Sequence, residues 1–374
     1  MIAKSLKQYN YNVYDIFMLC LNALKFRAYS LTKKSLPIYL NFAVTYDCNS
    51  RCMTCGIWQK NKNNSGSLEK MLSTEEIRVF FSNKKFIKNV LEVNITGGEP
   101  FLRNDIVDII RIIADSTPKA RISMVNNGLI PSILEDKLKA ILEITDHVHV
   151  GISIDGIGEM HDKIRGINGA FERAIQTLDK ITQLKMEYPK LGITIGMTIT
   201  SLNYNQILQV HELAKQYNTN FTFRTMQYSD FYFSNTQQIN DLRITKEEIS
   251  IIEKQIKSLP YDINLFFLEG VTKYVYNPKR QYFSCYSGLS SCFIDPYGNV
   301  YPCQFMNMKF GNIRNENLFK MWNSKIVKEI RTNISKGKCP NCWNECETLK
   351  TVRLKIYPLL IWQALRLFSK KRFA

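Results

Sequence analysis

The stretch Asn89-Val-Leu-Glu-Val-Asn-Ile95 alternates apolar and polar residues and then runs into Gly97-Gly-Glu-Pro100. Alternation of this kind is typical of a β-strand with one buried face, and glycine followed by proline marks the turn that ends it. Isoleucines at helical spacing follow over residues 105–115, which predicts a helix. A strand that is followed by a helix is therefore the unit from which the fold is built.

The same unit recurs along the chain on both sides of this stretch. Further strands are predicted at 37–45, 121–125, 147–154, 193–200 and 221–225. Helices are predicted from Thr74 and over 132–144, 170–188, 205–217 and 246–258. Six alternations of this kind predict an α/β fold with a parallel sheet and right-handed crossovers. Ligand chemistry is then expected at the C-terminal ends of the strands.

Charge is distributed very unevenly over the 374 residues. The net charge is +17, of which residues 1–40 carry +5 and residues 348–374 carry +7. The remaining body is close to neutral, which disfavours a nucleic-acid-binding function. With 45% hydrophobic residues the composition is that of a globular protein, and no apolar run reaches the ~20 residues needed to span a bilayer.

Nine of the ten cysteines fall into two groups near the two ends of the chain, and the tenth is Cys20. The first residues make a poor signal peptide, because the apolar stretch 16–21 is short and basic residues follow it closely. We therefore expect a cytoplasmic protein, in which clustered thiols indicate metal binding or catalysis. Cys20 lies on an apolar helical pattern and is expected to be structural.

The first group, Cys48-Asn-Ser-Arg-Cys52-Met-Thr-Cys55, places three thiols within eight residues. Three thiolates on one loop suit three irons of a cubane cluster and leave the fourth iron open. Zinc would require a fourth protein ligand, and no histidine lies nearby in the sequence. The spacing alone is moderately specific for such a cluster.

Here the chain resembles the radical S-adenosylmethionine (SAM) superfamily, whose mark is Cys-x3-Cys-x2-Cys. Gly97, Gly98, Glu99 and Pro100 resemble the glycine-rich motif that this family places after its second strand. The resemblance implies that the backbone and Glu99 meet the amino group of SAM. Glycine allows close approach of the backbone, and a carboxylate suits an ammonium group. It also implies the fold, a partial (β/α)6 TIM-type barrel.

Further motifs follow in the order that the family leads one to expect. Asn127 follows the third predicted strand, and Ser153 and Arg165 follow the fourth. The resemblance implies that Ser153 and Arg165 help to hold the SAM carboxylate, and that Trp58 flanks the adenine. The residue before the third cysteine is Thr54, where the family usually has an aromatic residue. We expect Met53 or Trp58 to cover the cluster instead.

The second group combines a predicted hairpin over residues 291–303 with a distant Cys-x2-Cys pair. From spacing alone, such a four-thiolate site suits either zinc or an iron–sulfur cluster. The segment resembles the SPASM or shortened twitch extension of the same superfamily. That resemblance implies one auxiliary [4Fe–4S] cluster ligated by Cys285, Cys303, Cys339 and Cys342. Cys292 and Cys346 are alternative ligands, or help to hold a second, partly open cluster.

Both tails carry basic amphipathic patterns, over residues 13–29 and 359–368. Such helices are typical of an anionic membrane surface, and the alternative is docking onto the barrel. A peripheral position on the inner face of the membrane is one hypothesis. The predicted organisation is an N-terminal tail at 1–37, a barrel at 38–272, an auxiliary-cluster domain at 273–348 and a C-terminal tail at 349–374.

The resemblance implies an enzyme that receives an electron from a donor such as flavodoxin or ferredoxin. It would cleave SAM to a 5′-deoxyadenosyl radical, which takes a hydrogen atom from the substrate. With four cysteine ligands, the auxiliary cluster is expected to accept an electron, so that the reaction is a net oxidation. The first hypothesis for the substrate is a small molecule, a sugar or an envelope- or lipid-linked compound. No catalytic base is predicted.

Two alternatives remain open at this stage. One is modification of a ribosomally made peptide, although the 37 residues before the first strand are fewer than a leader-binding domain needs. The other is a non-enzymatic zinc-ribbon protein that uses its basic tails for nucleic acid, which the few aromatic residues in those tails disfavour. Metal content distinguishes the zinc-ribbon protein from both radical SAM hypotheses, because two [4Fe–4S] clusters require about eight irons.

Overall fold

The computed structural model describes residues 36–63, 70–259, 265–278, 284–315 and 317–355. The structural statements below concern these residues. Both predicted amphipathic segments and Cys20 lie outside them, so the hypothesis of a membrane-binding tail stays a prediction. None of the described helices combines the length and apolar character that a membrane span requires.

The strands of the described chain form one nine-stranded sheet in the order β6-β5-β4-β3-β2-β1-β7-β8-β9. Every neighbouring pair from β1 to β6 is parallel. The strands are β1 Tyr39–Thr45, β2 Glu92–Gly97, β3 Arg121–Asn126, β4 Val148–Ser153, β5 Gly192–Ile199, β6 Asn220–Thr225, β7 Ser291–Ile294, β8 Asn299–Tyr301 and β9 Gly311–Asn312. This confirms the α/β class, and it is consistent with a partial TIM-type barrel.

Helices connect the parallel strands and cover the outside of the sheet. They are α1 Ile57–Asn63, α2 Thr74–Phe81, α3 Lys84–Ile87, α4 Ile106–Ser116, α5 Pro131–Leu142, α6 Glu159–Arg165, α7 Ala170–Glu187, α8 Ile207–Gln216, α9 Ile239–Leu242, α10 Lys246–Ser258, α11 Leu265–Tyr276, α12 Leu318–Trp322, α13 Lys325–Ser335 and α14 Lys350–Lys355. Helix α2 begins at a capping box between Ser73 and Glu76, a common helix start.

The two faces of the barrel sheet differ sharply in polarity. On the outer face, Val93, Ile95, Ile122 and Met124 are buried against the helices. On the opposite face, Glu92, Asn94, Arg121 and Ser123 line a cavity of about 1620 Å³, which also extends to residues of α8 and of the loops before the strands. Since side chains of a strand alternate between faces, one set of strands supplies both the core and a polar interior chamber.

The predicted hairpin at 291–303 is present as β7 and β8, and it does not stand apart from the barrel. β7 pairs parallel to β1, with Leu40 opposite Cys292. β8 pairs antiparallel to β7. The second cysteine group is thus attached directly to the first strand. The predicted boundary between residues 272 and 273 falls within α11.

Helical spacing over residues 316–331 predicts one helix, and this prediction is wrong in one respect, because the structure contains two helices there, α12 and α13. Asn317 caps α12 by accepting a hydrogen bond from the Lys320 N–H. Ser324 caps α13 in the same way with Val327. Each side-chain cap satisfies an otherwise unpaired N–H and starts a new helix. Continuous helical spacing hid the break.

The first residues of the predicted C-terminal tail are packed onto the barrel. Helix α14 buries Lys350, Thr351, Val352 and Leu354. The Lys355 ammonium group donates a hydrogen bond to the Ser284 carbonyl at 2.8 Å. For this part of the tail, docking is what the structure shows.

Candidate active site

The first cysteine group lies on the loop that leaves the C-terminal end of β1. Cys48, Cys52 and Cys55 are all partly buried. Burial, with a smaller contribution from Cys52, raises the pKa of the Cys48 thiol to about 11 and that of Cys55 to about 12. In the described chain, no three Cys, His, Asp or Glu side chains converge tightly enough to form a closed metal site. The ligand assignment therefore stays a prediction.

The glycine-rich motif after β2 is pressed against the start of this loop. The Gly98 N–H donates to the Thr45 carbonyl and the Glu99 N–H donates to the Asp47 carbonyl, each at 2.8 Å. A Cβ on Gly97 would lie 2.1 Å from the Thr45 oxygen, and one on Gly98 would lie 2.1 Å from the Asp47 oxygen. No other residue allows this approach without movement of the backbone.

Glu99 is 1% exposed, and its carboxylate is occupied by backbone groups. One oxygen accepts from the Phe101 N–H at 3.1 Å, and the other accepts from the Asn127 N–H at 2.7 Å. Burial raises the pKa of Glu99 to about 7, against these two hydrogen bonds. Pro100 opens a short 3₁₀ turn beside it. Through these hydrogen bonds, Glu99 joins the glycine-rich motif after β2 to the end of β3.

Asn127 reaches from the end of β3 to the cysteine loop. Its Nδ2 donates to Asn49 Oδ1 at 2.7 Å and lies 3.9 Å from Cys48 Sγ. Its Oδ1 accepts from the Leu129 N–H at 3.0 Å. The side chain therefore sets the position of the loop that carries the first thiol.

Arg165 brings the motif after β4 to the same loop. Its guanidinium forms a 2.9 Å ion pair with Asp155, and Nη1 lies 3.7 Å from Cys52 Sγ. Its buried Nε has no hydrogen-bond partner within the part of the chain that is described. Ser153 ends β4 and lines the barrel cavity. A buried donor of this kind suits an anionic ligand group.

The cover over the third cysteine comes from a segment that the sequence analysis missed. The Gly56 N–H donates to the Phe233 carbonyl at 2.6 Å, and Asn235 Nδ2 donates to the Thr54 carbonyl at 2.8 Å. Cys55 packs against an aromatic cluster that includes Tyr232. The signal was present as the run Phe231-Tyr-Phe233, just after β6.

Trp58, by contrast, is covered on one face by the Arg51 guanidinium, 4.8 Å from the ring centroid. The expectation that Met53 or Trp58 takes the place of the missing aromatic residue therefore omits the loop after β6. That loop supplies aromatic side chains from more than 170 residues further along the chain. The proposed contact of Trp58 with adenine stays a prediction.

The second cysteine group is brought together in the core from distant segments. Cys285 precedes β7, Cys303 follows β8, and the pair Cys339 and Cys342 follows α13. Burial raises the pKa of Cys342 well above its ordinary value, and Cys285, Cys303 and Cys339 raise it further. The four thiols predicted as auxiliary ligands are therefore close enough to act on one another.

The two doubtful cysteines lie in different surroundings. Cys292 is fully buried on β7, where burial raises its pKa to about 12 and the other groups that act on it are Glu347, Lys350 and Arg331. Cys346 lines the barrel cavity and acts on Tyr232. The role of both thiols as ligands stays a prediction.

Glu347 is a second residue that sequence reasoning missed. It is 1% exposed, and it accepts hydrogen bonds from Ser287, from Ser291 at 2.8 Å and from Asn41 at 3.0 Å. Burial raises its pKa. As one glutamate in a polar stretch it had no motif to mark it. It joins β1 to the second cysteine group.

The residues present fit the groups that the resemblance implies. Three thiols on one loop beside the Arg165 cation match the donor set of an open iron–sulfur cluster. The unpartnered Nε of Arg165 and the close backbone approach at Gly98 match a ligand with an anionic group. The four thiols Cys285, Cys303, Cys339 and Cys342 suit a fully ligated cluster by their number and chemistry.

Comparison with known proteins agrees with the fit of these residues to iron–sulfur clusters. Residues 42–214 match the family model described as the radical SAM superfamily, and residues 285–347 match SPASM, an iron–sulfur cluster-binding domain. The AdoMet-dependent heme synthase of Methanosarcina barkeri is 27% identical over 335 residues, which cover 82% of this chain and 88% of the relative.

Two further similarities concern proteins of other kinds. The mycofactocin maturase MftC of Mycobacterium tuberculosis is 27% identical over 322 residues, covering 82% of this chain and 75% of the relative. The crystal structure of Streptococcus suis SuiB bound to the precursor peptide SuiA aligns with a TM-score of 0.56 at 18% identity. It covers 86% of this chain and 75% of SuiB. At that identity the structural likeness supports the fold alone.

Proposed function

We propose, on the premise that this chain is a radical SAM enzyme with a C-terminal SPASM domain, that it oxidises a small molecule, a sugar or an envelope- or lipid-linked compound by abstraction of a hydrogen atom. The family implies a [4Fe–4S] cluster, SAM and additional iron–sulfur clusters. We assign the first cluster to Cys48, Cys52 and Cys55, and one auxiliary cluster to Cys285, Cys303, Cys339 and Cys342.

The observation that carries this proposal is the convergence of four strand ends on one cysteine loop. Backbone hydrogen bonds join it to the Gly97–Glu99 motif, and side chains join it to Asn127 and Arg165. Groups that come from separate strands are thus held at one place. Pre-organisation of this kind is what a reaction on a bound cofactor requires from its protein.

The cofactors, when bound, supply a radical that takes a hydrogen atom from the substrate and an auxiliary cluster that receives the remaining electron. The side chains of the protein bind and orient. Arg165 is placed to hold a carboxylate through Nε, and Ser153 lies on the cavity side of the same strand end. The aromatic cluster around Tyr232 packs against Cys55 and covers part of its surface.

The test is anaerobic reconstitution followed by iron analysis and incubation with SAM and a one-electron reductant such as dithionite or reduced flavodoxin. We expect about eight irons per chain and formation of 5′-deoxyadenosine. Deuterium transfer into 5′-deoxyadenosine from a deuterated extract would then identify the substrate. Zinc at both sites and no SAM cleavage would favour the zinc-ribbon alternative.

A second candidate is modification of a ribosomally made peptide. It is favoured by the relatives named mycofactocin maturase and by the likeness to SuiB, whose structure holds a precursor peptide. The same deuterium experiment distinguishes the two functions. The fraction of the deuterated extract that transfers deuterium to 5′-deoxyadenosine contains either peptides or small molecules.

Two partner predictions accompany the proposal. An electron donor such as flavodoxin or ferredoxin is expected at the cluster edge. The tails are proposed to meet an anionic membrane surface on the cytoplasmic side. If the purified protein fails to co-sediment with anionic liposomes at low salt, the second prediction is wrong.

A further inference from the structure

Glu347 lies beside the second cysteine group, and the reaction proposed above gives it no role. It belongs to the short helical turn Glu345–Leu349, which joins the last cysteines to α14. Its side chain is 1% exposed, and its own N–H donates to Asn344 Oδ1 at 2.9 Å. A carboxylate that is buried so completely carries a desolvation cost, which the groups around it must offset.

Three hydrogen bonds to the Glu347 carboxylate supply this compensation. Ser287 and Ser291 donate to one oxygen, the second at 2.8 Å, and Asn41 Nδ2 donates to the other at 3.0 Å. The same Asn41 amide accepts from Lys350 Nζ at 2.8 Å, which places a cation one side chain away. Burial raises the pKa of Glu347, and Lys350 and the three donors oppose the rise. The network is therefore arranged to support a negative charge.

One of these donors also touches a predicted cluster ligand. Ser287 Oγ lies 3.0 Å from Cys285 Sγ, and the Ser287 N–H donates to the same sulfur at 3.4 Å. A serine hydroxyl has one proton to donate, so the carboxylate and the sulfur compete for it. The hydrogen bonding of the Cys285 sulfur therefore depends on Glu347.

The charge of Glu347 also acts on several thiols of the second group. Burial is the main cause of the raised pKa of Cys285, Cys303 and Cys342, and Glu347 adds to the rise in all three. A negative potential that disfavours a thiolate also disfavours an added electron at the same place. Net charge and hydrogen bonds to the sulfurs are two of the properties that set the reduction potential of an iron–sulfur cluster.

We propose that Glu347 is a positioning residue for the auxiliary cluster, whose reduction potential it lowers by its charge and by competing for the Ser287 hydroxyl. This inference rests on the proposed function, because it takes the four predicted auxiliary ligands as the ligands of that cluster. The electron that the cluster receives from the substrate radical is then held less firmly than it would be without the carboxylate.

The test is a redox titration of the anaerobically reconstituted full-length protein, followed by EPR spectroscopy, in the parent and in Glu347→Gln. Addition of SAM identifies the signal of the first cluster, whose open iron it binds, and the other signal belongs to the auxiliary cluster. Glutamine keeps the shape of the side chain and removes its charge. We expect the auxiliary cluster of Glu347→Gln to be reduced about tenfold more readily, which is about 59 mV for a one-electron couple. The potential of the first cluster should not change.

Glu92→Gln is the matched control for the loss of a carboxylate. Glu92 is another largely buried glutamate, with 14% of its side chain exposed, and Lys350 acts on it as well. It begins β2 and does not adjoin a cysteine, so both potentials should stay as in the parent. Glu347→Asp keeps the charge and should retain most of the low potential of the auxiliary cluster.

Lys350→Met provides an independent measurement if Glu347→Gln does not take up its full complement of iron. It removes the cation that opposes the charge of Glu347, so the auxiliary cluster should become harder to reduce. The proposal is overturned if iron-loaded Glu347→Gln has the potential of the parent, if Glu92→Gln shifts the potential as much, or if Lys350→Met leaves it unchanged.

The result is separable from that for the proposed function. The titration requires neither SAM cleavage nor a substrate, so the potential can be measured in an inactive protein. An unchanged potential with intact formation of 5′-deoxyadenosine counts against the role of Glu347 alone. Absence of SAM cleavage in the parent, together with the expected shift in Glu347→Gln, counts against the radical reaction alone.

Discussion

The thiols of the two cysteine groups are brought together in opposite ways. Cys48, Cys52 and Cys55 come from one short loop, held from outside by contacts to three later strand ends. The four predicted auxiliary ligands of the second group come from segments up to 57 residues apart, and they lie in or against the hydrophobic core. The first group is positioned by its neighbours, and the second is part of what holds its region together.

This difference explains why one site was easier to predict than the other. A loop whose ligands are close in sequence has a fixed spacing, so that the motif Cys-x3-Cys-x2-Cys can be recognised without a structure. A site assembled through the fold keeps no such spacing. The assignments of Cys292 and Cys346 stayed open for this reason.

The sharpest test of the contrast is a pair of cysteine variants. Cys52→Ala should remove about four of about eight irons and reduce SAM cleavage below detection, with little loss of stability. Cys303→Ala should also remove about four irons, but it should retain SAM cleavage and lower the unfolding midpoint. Iron analysis, 5′-deoxyadenosine quantification and thermal unfolding measure these. Equal effects on stability would contradict the contrast.

The next effect concerns the ion pair beside the first group. Arg165→Met leaves Asp155 buried without its cation, and loss of one partner of a buried pair costs about 3–5 kcal/mol. Urea unfolding measures the change. Arg78→Met, at an exposed pair, serves as the matched control and should cost less than about 1 kcal/mol. Similar losses of stability in both variants would show that the Arg165–Asp155 ion pair stabilises the fold no more than an exposed pair does.

A smaller effect is expected where the backbone crosses the cysteine loop. Gly98→Ala should cost about 1–3 kcal/mol, because the new Cβ forces a backbone shift. Gly196→Ala is the control, since its Cβ would meet only the Ile152 carbonyl oxygen, at 4.0 Å. Urea unfolding of both variants measures the difference. A stability for Gly98→Ala equal to that of the control would show that the loop yields easily.

The smallest effect joins the two regions. Glu76 on α2 pairs with Arg314, which follows β9, and this cation lowers the pKa of Glu76 to about 2 from 4.5. The contribution to stability is therefore present above pH 4.5 and is lost as the pH falls toward 2. Because the carboxylate is partly exposed, the size stays below about 1 kcal/mol.

The measurement is urea unfolding of the parent and Glu76→Gln at pH 6 and pH 3. The two proteins should differ at pH 6, and the difference should shrink at pH 3. Glu75→Gln, next to it in sequence and exposed, is the control. A difference that does not depend on pH would assign the effect to packing instead of charge.

Much of the barrel could be predicted because its pattern is regular. Strands β2 to β6 begin and end within three residues of their predicted bounds, since apolar alternation repeats six times. The pairing of β7 with β1 could not be predicted, because four buried residues carry no period. Lys350 and Arg353 were counted as part of a basic tail, and only the fold shows that they face Glu92.

Because the two cysteine groups lie far apart along the chain, the first group is synthesised well before the second. The first group is complete when residue 55 has been made, and the second only at residue 342. At about 5–20 residues per second, synthesis of the segment between them takes on the order of 15–60 s. Throughout most of that interval β1 lacks β7, its later neighbour, and presents an unpaired strand edge. We therefore expect a chain truncated before residue 291 to expose this edge and to aggregate more readily than the full chain.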